Sequence, residues 1–205
     1  MNLLDRSLPD WRSSTSIVLQ AYAAGQTGDC VDGEQRVHQR EALMQSPDQH
    51  HDGRHDFDFC HGHWHVRNQR LTQRLVGSQD WETFEAIQKC RPILGGIGNL
   101  DEFSTGWGNG FLGMTLRLFN PQSRQWSIYW ASNQDGILES PVVGAFENGV
   151  GTFYGHDQHQ GQPVLARFIW NEITAASAHW QQALSTDDGA SWETNWHMYF
   201  SRVSG

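Results

Sequence analysis

Cys60, His61, His63 and His65 lie within one short stretch, and all four can ligate a metal or exchange a proton. On an extended chain the three imidazoles project from one face. A row of this kind can hold a divalent cation, and His50, His51 and His55 stand close by in sequence. Trp64 and Val66 alternate with the histidines, however, and claim the inner face of any sheet the stretch joins. The row therefore reads as a solvated outer face, and no metal site is assigned to it.

Other chemistry is sparse. The chain has no nucleophile elbow, P-loop, dinucleotide fingerprint or H-E-x-x-H. Glu82 and Glu85 are close in sequence, as are Asp101 and Glu102. Adjacent carboxylates on a strand face opposite ways, so Asp101 and Glu102 are not a catalytic pair. Asp101 is the one acid that could stand inside a barrel and serve an enzyme. Arg117 falls on the outer face by parity, and Arg167 can be read either way. His197 is the strand histidine that a haem or metal would use, and its parity also points outward. No catalytic residue and no cofactor is assigned.

The aromatic residues are more informative. Ten tryptophans and ten phenylalanines among 205 residues suit a fold that encloses rings or a ligand. If Trp64 points inward and each strand alternates, the ligand-binding set is Gln88, Asn99, Asp101, Met114, Trp126, Trp130, Gln182 and Trp196. Phe84, Leu116, Ile128 and Met198 share that wall. The facing of the strand carrying Asn99 and Asp101 is left open. An aromatic cup with sparse amides is the composition of a small-molecule site. The same indoles could equally fill a small barrel by themselves.

These side chains need strands to hold them. The first runs through Gly62-His63-Trp64 and ends by Gly77-Ser78. Further strands are expected at Trp81 to Arg91, Ile97 to Ser104, Phe111 to Phe119, Gln125 to Ser132, Val142 to Glu147, Val150 to Gly155, Pro163 to Trp170, Ala178 to Ser185 and Trp192 to Val203. On Phe111 to Phe119, Met114, Leu116 and Leu118 are expected to face inward, and Thr115 and Arg117 outward. Asp135-Gly136 and Asn148-Gly149 are hairpin signals. Ser185 to Trp192, STDDGASW, matches an Asp-box, which occurs here once and reads as a turn device. The expected fold is all-β: about ten hairpin-linked strands in an up-and-down antiparallel closed barrel over 56–205.

Residues 1–55 lack this alternation and read as an extension, partly helical or disordered. Glu34 to Gln45 has the composition of a short helix, stopped by Pro47. The net charge is -9 and Lys89 is the only lysine. That excludes a basic surface for nucleic acid or an anionic membrane. Cys30, Cys60 and Cys90 form neither a disulfide framework nor a zinc ribbon. Ser16 to Ala24 lacks the basic flank of an export signal, so the cytoplasm is expected.

A G-x-W at the head of a meander (Gly62, Trp64), with Arg202 near the end of the last strand, resembles the calycin superfamily of lipocalins and fatty-acid-binding proteins. The phrases FEAIQKCRPILGGIGNLDEF, LRLFNPQSRQWSIYWAS and DDGASWETNWHMYFSR are similar to uncharacterised bacterial calycin-like proteins over about residues 56 to 203. The resemblance implies that Trp64 lies across the barrel floor with Arg202 packed on it. It also implies a small, mainly apolar or aromatic ligand, and it leaves a homodimer possible. A cyclase, isomerase or lyase on the same scaffold is the alternative, and haem or metal binding through a histidine is another. Two departures matter: the extracellular lipocalin disulfide is missing, and Val66 breaks the G-x-W-x-G-x-G pattern of haem-binding nitrobindins.

Overall fold

The computed structural model describes residues 52–203. The expectations for Ser16 to Ala24, Cys30, Glu34 to Gln45, His50 and His51 lie outside the described residues. Ten strands follow in order: β1 (Gly62–Leu71), β2 (Trp81–Ile93), β3 (Gly98–Thr105), β4 (Leu112–Asn120), β5 (Gln125–Ser132), β6 (Val142–Glu147), β7 (Val150–His159), β8 (Gln162–Asn171), β9 (Ser177–Ser185) and β10 (Glu193–Arg202). Each pairs antiparallel with the next, and β10 returns to β1, closing the barrel. The expected all-β closed barrel is the observed fold.

Tight turns set the strand ends. Asn148-Gly149 joins β6 to β7 with both residues at positive φ, 50° and 79°. Gln160-Gly161 repeats this between β7 and β8, at 51° and 78°. Two central residues at positive φ are the hairpin geometry that matches strand twist. The second hairpin carries β7 to His159, beyond the Gly155 expected from sequence. The Asp-box is the β9–β10 turn. Ser185 Oγ accepts from Gly189 N at 2.8 Å, Asp187 accepts from Ser191, and Trp192 Nε1 donates to the Gly189 carbonyl at 3.0 Å.

One end of the barrel is sealed. Trp64 is 1% exposed, and its Nε1 donates to the Cys60 carbonyl at 2.8 Å. The Arg202 guanidinium lies 4.1 Å above its ring. A Cβ at Gly62 would stand 2.9 Å from Arg202 Nη1, and φ there is +109°. Glycine is thus required in the G-x-W both for the backbone turn and for room beside the arginine. The segment before β1 completes the seal. Phe57 is fully buried and packs edge-on to Trp126, Phe146 and Trp170. Trp126 Nε1 donates to the Gly53 carbonyl at 2.9 Å, so Gly53 already contributes to the barrel.

The expected facing of β4 is reversed. Gly113, Thr115, Arg117 and Phe119 point inward, while Met114, Leu116 and Leu118 lie on the outer wall. Register is the reason. Thr115 sits opposite Trp130, Arg117 opposite Ile128 and Phe119 opposite Trp126. Cross-strand partners share a face, so the inward indoles of β5 carry Thr115, Arg117 and Phe119 with them. Gly113 agrees: a Cβ there would collide with the Trp130 ring.

Candidate ligand-binding cavity

Above the sealed floor the barrel holds a cavity of about 300 Å³. Its walls come from alternate residues of several strands. Gln88, Phe103, Ile128, Trp130, Phe168, Trp180, Gln182, Trp196 and Met198 all line it. Of the expected ligand-binding set, the fold brings together Gln88, Trp130, Gln182 and Trp196. Trp126 is displaced to the floor, where it meets Phe57 and Phe119 rather than the cavity. Met114 is on the outer wall, as β4 register requires. Leu116 shares that correction.

Asn99 and Asp101 are inside the barrel, at 1% exposure each, but they do not line the cavity. They hold Arg117, which does. Arg117 Nη1 donates to Asn99 Oδ1 at 3.0 Å and to Asp101 Oδ2 at 2.5 Å. By parity Arg117 is expected on the outer face; it lies inside instead, 3% exposed. Burial pushes the Asp101 carboxyl up from the usual range, opposed by the Arg117 charge and by Thr115. The pair keeps its charges together, because protonating Asp101 would leave a buried guanidinium unpaired. The Arg117 guanidinium also packs on Phe57 and Trp170, at 5.2 and 5.6 Å.

The mouth is built from the end of β1, the start of β10 and the β3–β4 loop. Trp107 stacks on Phe84, 4.7 Å between centroids and 12° between planes. Trp107 Nε1 donates to Glu82 Oε2 at 2.9 Å, and Trp196 Nε1 donates to Asn68 Oδ1 at 3.0 Å. Arg70 lies over both rings, at 4.9 and 5.1 Å. Burial, with the Arg70 charge beside it, brings Arg74 down to about 10. Across the mouth, burial and then Asp157 and Asp135 push the Glu139 carboxyl up. A second hollow, about 380 Å³, lies on the outer lip along the loop after β1. It is lined by both arginines, Leu71, His159 and loop residues, and it lacks the tryptophan and phenylalanine walls.

Sequence reasoning missed Arg117, Trp170, Trp180 and the two mouth arginines. The signal for Arg117 was present: it is the β4 residue facing Ile128 once Trp126 and Trp130 are set inward. The outer-face readings fare differently. His63 and His65 are exposed on β1, and His61 precedes the strand. His197 is on the outer wall, where its Nδ1 and His179 Nε2 share a hydrogen bond at 3.0 Å. Among the described residues no histidine lines the cavity. Arg167 lies outside, 4.3 Å over the Trp192 ring.

No protein-family model matches the chain, and comparison with curated proteins finds no significant match. Among the described residues no helix is long and apolar enough to cross a membrane.

Proposed function

We propose that this chain is a calycin-like binding protein that holds a small, mainly apolar or aromatic ligand in its barrel. The observation that carries the reading is the cavity itself. It is closed at one end, open at the other, and walled by Phe103, Trp130, Phe168, Trp180 and Trp196. Its volume, about 300 Å³, stands at the lower end of the range for ligand sites, so the ligand is compact. Sparse polar groups, Gln88, Gln182 and Arg117, stand in those walls, which is how such sites fix orientation. The Trp64–Arg202 stack supports the calycin likeness. The buried, unpaired thiols of Cys60 and Cys90 support a reducing compartment such as the cytoplasm.

Titration with fatty acids, retinoid-like polyenes and porphyrins, followed by tryptophan fluorescence, tests the reading. Saturable quenching is expected from a compact conjugated ligand, and Trp130→Ala should weaken it by about tenfold or more, the loss of one aromatic wall. Absence of quenching by every class would refute the binding reading.

A further inference from the structure

We propose that the end of the ligand reaching the bottom of the cavity is an uncharged hydrogen-bond acceptor, a carbonyl-type oxygen, and that a carboxylate is disfavoured there. The inference rests on the barrel being a ligand site, as proposed above. Arg117 Nε, Trp170 Nε1 and Gln88 Nε2 lack a hydrogen-bond partner, and all three side chains stand in the cavity wall. They are buried, at 3%, 3% and 4% exposure. An indole N–H and a guanidinium Nε can only donate. Buried donors left unmade are costly, so this wall asks for an acceptor.

Charge decides which acceptor. A lone arginine in a barrel calls for an anion. Arg117 is not alone: Asp101 and Asn99 already occupy its Nη1. The Asp101 side chain is fully buried, so its charge offsets that of Arg117 without help from solvent. A carboxylate beside this pair would bring uncompensated negative charge into a buried space. A carbonyl oxygen takes the same hydrogen bonds and adds no charge. Trp170 packs on the Arg117 guanidinium, so their donors belong to one patch. Above it, Phe103, Trp130 and Trp180 favour a flat body. The ligand class is therefore an aromatic or conjugated ketone, aldehyde or ester.

The test is calorimetric titration of the full chain, at about pH 8, with three probes of one skeleton: 2-acetylnaphthalene, 2-ethylnaphthalene and 2-naphthoate. The ketone is expected to bind about tenfold tighter than either of the others. Asp101→Asn strips Arg117 of its counter-charge and should turn the preference toward naphthoate. Because that variant breaks a buried pair, Gln88→Met and Trp170→Phe are measured beside it. Each should weaken the ketone several-fold more than it weakens ethylnaphthalene. Equal binding of ketone and hydrocarbon, or tightest binding of naphthoate to the unaltered chain, overturns this inference and leaves the cavity as a binding site. Binding of none of the three overturns this inference; the binding reading falls only if the fatty acids, polyenes and porphyrins also fail to quench.

Discussion

Arg202 ties three separate stretches of chain together. Its Nε donates to the Ala175 carbonyl at 2.6 Å, Nη1 to His61 at 2.7 Å and Nη2 to Phe59 at 2.8 Å, while its face covers Trp64. Trp64→Ala removes the buried indole and should cost about 3–5 kcal/mol, a large part of an ordinary folding margin. Arg202→Ala is expected to cost less. The two losses should fall short of additive in a urea-unfolding cycle, because the side chains touch. Strict additivity would deny the stack any energy. The His179–His197 pair makes a second residue-scale prediction. Burial lowers both imidazoles from their ordinary value; Glu172 opposes this for His179, and His179 itself adds to it for His197. The pair shares one N–H···N bond, which two protonated rings could not keep, since both facing nitrogens would then be donors. Since the folded pKa values lie below the unfolded value near ~6.5, the unfolded chain binds more protons below that pH. Stability from this pair is present at neutral pH and is lost as pH falls through the unfolded value toward the folded ones. Urea midpoints should drop between about pH 8 and pH 5.5, and the drop should shrink in His197→Gln. An unchanged slope in that variant would assign the pH dependence elsewhere.

At the scale of elements, the short run before β1 is a stopper for the barrel. Phe57 and Cys60 are buried in the core, and Gly53 supplies the carbonyl for Trp126. A chain beginning at Gly53 should therefore melt cooperatively with a β-type circular dichroism spectrum. A chain beginning at Gly62 should lose stability on the scale of a deleted core phenylalanine, about 3–5 kcal/mol. Equal melting temperatures for the two would show that the stopper is dispensable. The sequence marked the strands themselves well, since alternation and Asn-Gly or Asp-Gly turns are local signals. It marked facing well wherever one parity was polar. The exception is β4, where the parity carrying Thr115 and Arg117 faces inward and the apolar one faces out. Met114, Leu116 and Leu118 read as core, yet they lie on the outer wall, where Leu116 sits between Leu100 on β3 and Tyr129 on β5. Only cross-strand register separates the two choices, and register is not a local property. The same gap hid the cavity polar groups. Asn99 and Asp101 were legible as inward candidates, but their partner Arg117 was set outside, so the ion pair could not be assembled from sequence.

For the whole molecule, closure is the non-local event. Nine of the barrel's seams join consecutive strands, and the tenth joins β1 to β10. Consecutive hairpins close short loops at small entropic cost, whereas the last seam must bring the two ends of the barrel unit together. Its contacts repay that cost only once the meander is largely built. Trp64 and Arg202 face each other across this seam, in direct register. Phe153, on β7 with the β6–β7 hairpin beneath it, belongs to a local pair instead. Replacements at the closing seam should therefore act mainly on unfolding. In a chevron analysis, Trp64→Phe should leave the folding arm close to that of the unaltered chain and speed unfolding, a low φ-value. Phe153→Leu, destabilising the hairpin region, should slow folding by the larger share of its effect. The comparison needs variants that each cost more than about 0.6 kcal/mol, below which φ is unreliable. A high φ at Trp64 with a low one at Phe153 would reverse the order: the ends of the barrel unit would then meet first, and the hairpins would fill in between a seam already formed.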